Sequence, residues 1–166
     1  MIQLPTFYFA VREHLVDTGD RFLPVRGDPD AAGYDVRAAP ADRKDIVIHP
    51  GQYFKIPLGF RSFCPVGWYY KLYPRSSSFA KKNLHNLIGI IDETWEGETA
   101  WAGQYIPDPG TITKDLIIKF GEPIAQIIPT HRKDVLIVSN TNEELDRRYA
   151  ERNATRKDGG FGSTSS

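Results

Sequence analysis

The stretch Gly89-Ile-Ile-Asp-Glu-Thr-Trp-Glu-Gly-Glu98 is the starting point for interpreting this chain. The β-branched pair Ile90 and Ile91 leads directly into a carboxylate at Asp92, and a polar turn with one indole precedes Gly97. β-Branched residues closed by turn residues and a glycine predict a β-hairpin. A strand that ends in an acid is a rigid mount for a general base. The alternative is an ordinary surface hairpin with a solvated aspartate.

Short β-branched and aromatic runs continue on both sides of this stretch, among 12 prolines and 14 glycines. They predict strands over residues 2–15, 31–38, 46–49, 52–57, 59–64, 68–73, 83–91, 116–120, 124–129 and 134–138, with a loop-rich segment over 101–113. One helix is predicted over 143–153, with Thr141 or Asn142 as its N-cap, and residues 74–80 are predicted as a strand end followed by a serine-rich loop with one helical turn. Many short strands at regular spacing favour a β-sandwich or β-barrel.

The composition excludes several classes of protein. A chain of 166 residues is long enough for one domain with a tail, and the single Cys64 excludes a disulfide framework. Lysine plus arginine and aspartate plus glutamate both number 21, so charge gives no reason to expect nucleic-acid binding. No apolar run has the length of a membrane span or a signal peptide. We therefore expect a cytoplasmic protein, or one in the host cytoplasm or nucleus if its source is viral.

The C-terminal tail, residues 154–166, differs in character from the predicted β domain over residues 1–153. Its glycines, hydroxyls, one guanidinium and one aromatic ring suit phosphate and base binding; these residues are Arg156, Gly159, Gly160, Phe161, Gly162, Ser163 and Thr164. A mobile tail that closes over a nucleotide would act as a lid. The alternative is a disordered Gly/Ser tail, which leaves the arginine and the phenylalanine unexplained.

Three further stretches carry groups that suit a nucleotide site. Arg75-Ser76-Ser77-Ser78 offers a guanidinium, hydroxyls and amides to phosphates, although serine-rich loops are commonly just solvated. Asp35 could hold Mg²⁺ through water, or could cap a turn. Gln126 places an amide within an apolar strand, where it could be a satisfied core amide or could reach the site.

Together these stretches resemble the five ordered motifs of the homotrimeric all-β dUTPase family. The matching segments are 32–38, 74–78, 86–92 continuing through Gly97-Glu98, 121–126, and Arg156 with 159–164. The resemblance implies a distorted β-barrel or jelly roll of the β-clip type, one short helix near the C-terminus and a homotrimer. It also implies Mg²⁺-assisted hydrolysis of dUTP to dUMP and pyrophosphate, which lowers dUTP and supplies dUMP for thymidylate synthesis.

The resemblance assigns a role to each candidate residue. Asp92 is expected to position and deprotonate the water that attacks the α-phosphorus in line. Arg75, Ser76 and Ser77 would bind phosphates, and Asp35 would hold Mg²⁺ through water. Asn86 and the backbone of Gly89, Ile90 and Ile91 would pair with the uracil edge. The remaining substrate-binding candidates are Trp95, Gln126, Arg156, Phe161, Gly162, Ser163 and Thr164, with Arg156 at the γ-phosphate and Phe161 stacked on uracil. Three subunits would contribute to each pocket.

Several positions depart from the family pattern. Trp95 stands in place of the tyrosine that packs under deoxyribose, and Glu96 and Pro123 replace arginines. Pro123 cannot donate to a strand ladder, so it should lie at an edge or at a strand start. Ser165 and Ser166 follow Ser-Thr in place of a glycine.

Two alternatives stay open at this point. The related dCTP deaminases share a similar fold, but the segment where they carry a catalytic glutamate is Ala100-Trp-Ala102 here, without a carboxylate. The second is a nucleotide-sensing trimer that binds a protein partner through the loop Thr99–Lys114. The alternative for that loop, a decorative insertion, is favoured because surface loops tolerate insertions well.

Overall fold

The computed structural model describes residues 4–108, 110 and 114–152. The chain divides into two compact units, Met1–Lys133 and Asp134–Ser166. The strands of the described residues all lie in the first unit, and the second unit contains one helix. None of the helices in this described part of the chain is long and apolar enough to cross a bilayer.

The described residues of the first unit contain eleven strands. They are β1 (Tyr8–Val11), β2 (Tyr34–Arg37), β3 (Ile46–Ile48), β4 (Tyr53–Pro57), β5 (Phe60–Phe63), β6 (Trp68–Pro74), β7 (Leu84–Asn86), β8 (Gly89–Ile91), β9 (Ala100–Tyr105), β10 (Leu116–Ile118) and β11 (Pro123–His131). The helical segments are a 3-10 segment (Glu13–Phe22), α1 (Ser76–Ala80) and α2 (Asn142–Glu151). The predicted β fold with a short helix near the C-terminus is confirmed.

The strands form four antiparallel sheets. The largest has the order β2-β11-β6-β8, a second has the order β4-β9-β7, and two pairs join β1 with β5 and β10 with β3. Within the largest sheet, Gln126 of β11 lies opposite Asp35 on one side and Tyr73 on the other. Pro123 begins β11 beside a register shift, as its missing N–H predicts.

Side chains from these sheets share one apolar core. Trp101 and Phe60 have no exposed surface, and Leu72 and Ile124 pack in the same cluster. The hydroxyl of the fully buried Tyr70 lies 2.8 Å from both the Ser62 and the Thr99 hydroxyls. A buried hydroxyl left without such partners would cost about 1–3 kcal/mol, so this network stabilises the β fold.

Among the described residues, the predicted opening strand over residues 2–15 is confirmed only at Tyr8–Val11, since residues 4–7 and 12–15 are not in a strand. β1 ends at Val11, and the chain continues as a 3-10 segment interrupted at Gly19, whose φ of 58° is favourable for glycine. This segment buries Leu15 and Phe22 in a second small cluster with Ala39. Burial of both side chains against the rest of the unit outweighs the strand preference of the preceding residues.

The predicted hairpin over Gly89–Glu98 is also wrong in its pairing. β8 pairs with β6, with Ile91 opposite Tyr70 and Gly89 opposite Leu72. The following strand, β9, pairs with β4 and β7 in a different sheet. The turn itself is present, because the Trp95 amide donates to the Asp92 carbonyl at 3.1 Å. The stretch is therefore a strand and turn that cross from one sheet to another.

The segment predicted as loop-rich over 101–113 begins with a core strand. β9 is the central strand of its sheet, and Thr99 and Trp101 are fully buried. The prediction of a partner-binding loop or insertion over Thr99–Lys114 is therefore wrong for its first half, because buried side chains cannot contact a partner. Residues 109 and 111–113 lie outside the described residues.

In the second unit, the predicted strand over 134–138 is wrong and the predicted helix is confirmed. No strand of the described residues pairs with this segment, and Val135, Leu136, Ile137 and Val138 are exposed. A strand forms only where another strand satisfies its N–H and C=O groups. Helix α2 begins after Thr141, whose hydroxyl accepts from the Glu144 amide at 3.2 Å, an N-cap of the expected kind.

Candidate active site

The first group of candidate residues meets at the end of β6. The Arg75 Nε lies 3.1 Å from Oδ1 of Asp35, and both side chains are partly buried. The pair forms because β11 lies between β2 and β6 and holds the strands that carry these residues at adjacent positions. The residues predicted to bind phosphate and metal are therefore brought together within one chain.

Gln126 ties this group to the strand ladder. Its Nε2 donates to the Pro74 carbonyl at 3.1 Å, immediately before Arg75. A Cβ at Gly33 would overlap the side-chain oxygen of Gln126, so the glycine of the first motif makes room for the amide of the fourth. The Gln126 amide is therefore hydrogen-bonded to the backbone of Pro74, the residue that precedes Arg75.

The serine-rich stretch forms the short helix α1, in agreement with the predicted helical turn. Ser78 is buried, and its hydroxyl donates to the Ile124 carbonyl at 2.6 Å. This bond fixes the turn against β11 and leaves Ser76 exposed and Ser77 partly exposed. Hydroxyls and amides at the start of this turn can donate to phosphate oxygens beside Arg75.

The second group of candidate residues surrounds β8. β8 is an edge strand, with β6 as its neighbour in the described residues. In an antiparallel ladder, alternate residues direct both N–H and C=O away from the partner strand. The free edge of β8 therefore offers a backbone donor and acceptor next to each other, the pattern that an imide edge such as that of uracil requires.

Asn86 lies just before this edge, at the end of β7. Its Nδ2 donates to the Leu87 carbonyl at 3.0 Å. β7 approaches β9 closely at Gly103, where a Cβ would overlap the His85 carbonyl oxygen and lie 2.7 Å from the Asn86 Cα. The absent side chain at Gly103 is what allows Asn86 to take this position.

Asp92 follows β8 directly and is exposed. It lines a cavity of about 230 Å³ together with Trp68, Tyr69, Thr94 and Arg132. Side chains from β6 and from the end of β11 thus form a rigid wall beside the carboxylate. An exposed carboxylate on a rigid wall can orient a water molecule and accept its proton.

Trp95 lies on the other side of the same turn. Its indole packs over Gly97, where a Cβ would overlap the ring. It lines a larger cavity of about 700 Å³ with Tyr8, Phe63 and Arg61. Both cavities are lined by Glu93 and Thr94, so they adjoin at the turn after β8.

The two groups of candidates do not meet within one chain. Asp92 lies beside Tyr69 near the start of β6, whereas Arg75 follows its last residue, Pro74. Six residues of extended strand span about 20 Å. A single copy therefore separates the predicted general base from the predicted phosphate-binding residues.

The predicted tail residues cannot be placed. Arg156, Phe161, Gly162, Ser163 and Thr164 lie outside the described residues, and their roles stay predictions.

Within the described residues, no group of three or more His, Cys, Asp or Glu side chains could hold a metal ion. Mg²⁺ carried mainly on substrate phosphates needs few protein ligands. Asp35 directs Oδ1 to Arg75, and its second oxygen could bind a water of such an ion.

The ion pair between Glu93 and Arg132 at the site was not predicted from the sequence. Glu93 accepts from the Gly67 amide at 2.6 Å through Oε2 and from Arg132 Nη1 at 2.9 Å through Oε1. The hydrogen bond from Gly67 holds the pKa of Glu93 below its ordinary value, and Arg132 adds to this effect. In the sequence Glu93 is one polar residue of a turn, and only its position next to Asp92 could have drawn attention to it.

Comparison with known proteins assigns the family. A family model described as dUTPase matches residues 21–165. The chain belongs to the dUTPase family. A deoxyuridine 5'-triphosphate nucleotidohydrolase of Syntrophotalea carbinolica is 34% identical over 146 residues, covering 86% of this chain and 88% of the relative.

Solved dUTPase structures share the fold. The dUTPase of Streptococcus mutans has a TM-score of 0.63 and 26% identity, and the match covers 79% of this chain and 98% of that one. The dUTPase of Staphylococcus bacteriophage 80alpha, solved as a mutant with dUpNHpp, has a TM-score of 0.69 over 97% of this chain and 99% of that one. At 18% identity the phage protein shows the fold alone. The predicted family and the predicted β-barrel fold of dUTPases are thereby confirmed.

Proposed function

We propose that this dUTPase hydrolyses dUTP to dUMP and pyrophosphate in sites that three copies of the chain build together. Membership of the family gives the activity, that of a dUTP diphosphatase. The observation that carries the shared site is the separation of Asp92 from Arg75 and Asp35 by the length of β6. One reaction needs both groups, so a second copy must bring its Asp92 to the phosphate-binding residues of the first.

Uracil recognition falls to β8 and Asn86. The free edge of β8 offers adjacent N–H and C=O groups, and the amide of Asn86 adds a donor and an acceptor. Cytosine presents the opposite group at position 4 and would leave buried partners unsatisfied, at about 1–3 kcal/mol each. Trp95 would provide a flat apolar floor for the deoxyribose.

The phosphates would bind at the end of β6. Arg75 carries a permanent positive charge, and Ser76 and Ser77 add hydroxyl and amide donors. dUTPases depend on Mg²⁺, which when bound neutralises charge that develops on the phosphates. Asp35 would hold a water of this ion while it keeps Arg75 in place.

Asp92 would supply the base. Its carboxylate would accept a proton from the water that attacks the α-phosphorus, and pyrophosphate would leave in line. Proton transfer to a positioned side chain contributes about 10²–10⁴-fold to a rate. The tail residues Arg156, Phe161, Gly162, Ser163 and Thr164 of a third copy would then close over the nucleotide and exclude water.

A protein partner and a cytoplasmic location both stay predictions. Residues 106–114 follow β9 and are the part of the predicted partner-binding loop at which a protein partner is still expected.

Deamination is disfavoured, because Ala100-Trp101-Ala102 lies in β9 without a carboxylate and Trp101 is fully buried.

The activity is tested by incubating the protein and Mg²⁺ with dUTP, dCTP, dTTP and UTP in parallel. We expect pyrophosphate and dUMP from dUTP and little product from the other three. Asp92→Asn should retain the binding of a non-hydrolysable dUTP analogue and lose about 10²–10⁴-fold in turnover. Ammonia released from dCTP would overturn the assigned reaction, and near-normal turnover by Asp92→Asn would overturn the assigned base.

A further inference from the structure

The turn that carries Asp92 is anchored by a closed set of hydrogen bonds. Oε2 of Glu93 accepts from the Gly67 amide at 2.6 Å, and Oε1 accepts from Arg132 Nη1 at 2.9 Å. The Arg132 amide in turn donates to the Gly67 carbonyl at 2.7 Å. Each of the three residues is bonded to the other two, and we refer to them as the Glu93 clamp.

The three members of the clamp come from separate parts of the chain. Gly67 lies in the turn between β5 and β6, and its φ of 79° suits glycine. Arg132 follows directly after β11, and Glu93 follows Asp92. The clamp therefore ties the residue after the predicted base to two rigid strand ends.

Other contacts make this anchor stiff. The Trp68 ring lies edge-on to His131 with centroids 5.1 Å apart, next to Gly67 and Arg132 respectively. The amide of Trp95 closes the turn on the Asp92 carbonyl at 3.1 Å. Bidentate acceptance by a carboxylate from a guanidinium and an amide is stronger than a neutral hydrogen bond. The backbone of Asp92 is thus held by its own turn and by the clamp at the next residue.

We propose that Glu93 is a positioning residue that holds the Asp92 carboxylate at the place where the attacking water must be bound. The proposal rests on the proposed function, in which Asp92 is the base. Both oxygens of Glu93 are engaged in the clamp, so we assign Glu93 a positioning role and no direct part in the reaction. Its loss should lower the rate of the chemical step more than it weakens nucleotide binding, which depends on many other groups.

The test compares Glu93→Ala and Glu93→Gln with the wild-type enzyme under saturating Mg²⁺. Alanine removes both hydrogen bonds, whereas glutamine keeps an acceptor for Gly67 and loses the charge that faces Arg132. We expect kcat to fall about 10–100-fold for alanine, because a displacement near 1 Å can cost about 10²-fold. The fall should be smaller for glutamine, and KM and the affinity for a non-hydrolysable dUTP analogue should change less than threefold.

A matched control is Glu96→Gln, in the same turn. The backbone carbonyl of Glu96 accepts from Arg61 Nε at 2.7 Å, and the substitution leaves this hydrogen bond unchanged. This variant should keep the wild-type kcat. Each variant is assayed well below its unfolding temperature, so that loss of folded protein does not enter the rate.

The outcomes separate this proposal from the proposed function. A Glu93→Ala enzyme with wild-type kcat overturns the positioning role, and so does a loss of kcat that follows the folded fraction or an equal rise in KM. If Asp92→Asn stays active, the assigned base is wrong, whatever the result for Glu93. If Asp92→Asn is inactive and Glu93→Ala is normal, only the positioning role fails.

Discussion

The guanidinium of Arg75 pairs with the carboxylate of Asp35, with Nε and Oδ1 3.1 Å apart. One residue comes from the second motif and the other from the first, and β11 lies between their strands. This pair, together with the hydrogen bond that Arg75 Nη1 donates to the Pro123 carbonyl at 3.4 Å, holds the guanidinium in place before any phosphate arrives. Preorganisation of this kind reduces the entropy lost when a ligand binds.

Removal of the Asp35 charge should weaken both phosphate and metal binding. For Asp35→Asn we expect a rise of several-fold in KM for dUTP and a higher Mg²⁺ concentration at half-maximal rate. Titration of the initial rate with Mg²⁺ at fixed dUTP measures both effects. Asp45→Asn is the matched control, because Asp45 is paired with Lys119 at 2.7 Å outside the site. An unchanged Mg²⁺ dependence for Asp35→Asn would contradict the assigned role.

Mixing of two inactive variants should restore activity if sites are shared. Asp92→Asn and Arg75→Ala each spoil every site of their own trimer. In randomly mixed trimers, about a quarter of the sites combine an intact Asp92 from one copy with an intact Arg75 from another. We expect recovered turnover after the variants are denatured and refolded together, and none when they are refolded apart. If the mixture stays inactive, both residues act from one copy.

Gly103→Ala should disturb the position of Asn86. The added Cβ would overlap the His85 carbonyl oxygen, and backbone cannot move aside as a flexible side chain can. Such overpacking costs about 1–3 kcal/mol of unfolding free energy. Urea unfolding measures this loss, and steady-state kinetics should show a raised KM for dUTP. A variant with normal stability and normal KM would show that β7 and β9 can separate without consequence.

The Glu93 clamp should contribute stability that depends on pH. Because Gly67 and Arg132 lower the pKa of Glu93 in the folded state, folding favours the charged carboxylate. The contribution is fully present above the unfolded glutamate pKa of about 4.3 and is lost as the pH falls through the lower folded pKa. Thermal unfolding at pH 7 and in the acid range should show a larger loss for wild type than for Glu93→Gln. Equal losses would contradict this.

The sequence predicted those parts of the fold that depend on local patterns. The Thr141 cap and the helical turn after Arg75 are of this kind, because neighbouring residues determine them. The grouping of Asp35 with Arg75 followed from the resemblance to dUTPases, and the structure shows how β11 produces it.

The errors arise where distant strands decide the pairing. The local pattern predicted a hairpin over Gly89–Glu98, but β8 pairs with β6 instead. Tyr70, which lies opposite Ile91, is far from Ile91 in the sequence. Ala100–Tyr105 has no β-branched residue, so the sequence does not predict a strand there. Burial of Trp101 nevertheless makes this segment, β9, the central strand of its sheet. Residues 134–138 have strand composition without a strand partner among the described residues.

The length of β6 between Asp92 and Arg75 has a consequence for the cell. If several copies build each site as proposed, the rate at dilutions that dissociate the assembly rises more steeply than in proportion to chain concentration. A damaged allele expressed beside an intact one would place faulty chains in most assemblies. A fault that removes the groups of several motifs at once would spare only sites built wholly from intact copies, and the harm from that allele would then exceed its share of the protein made.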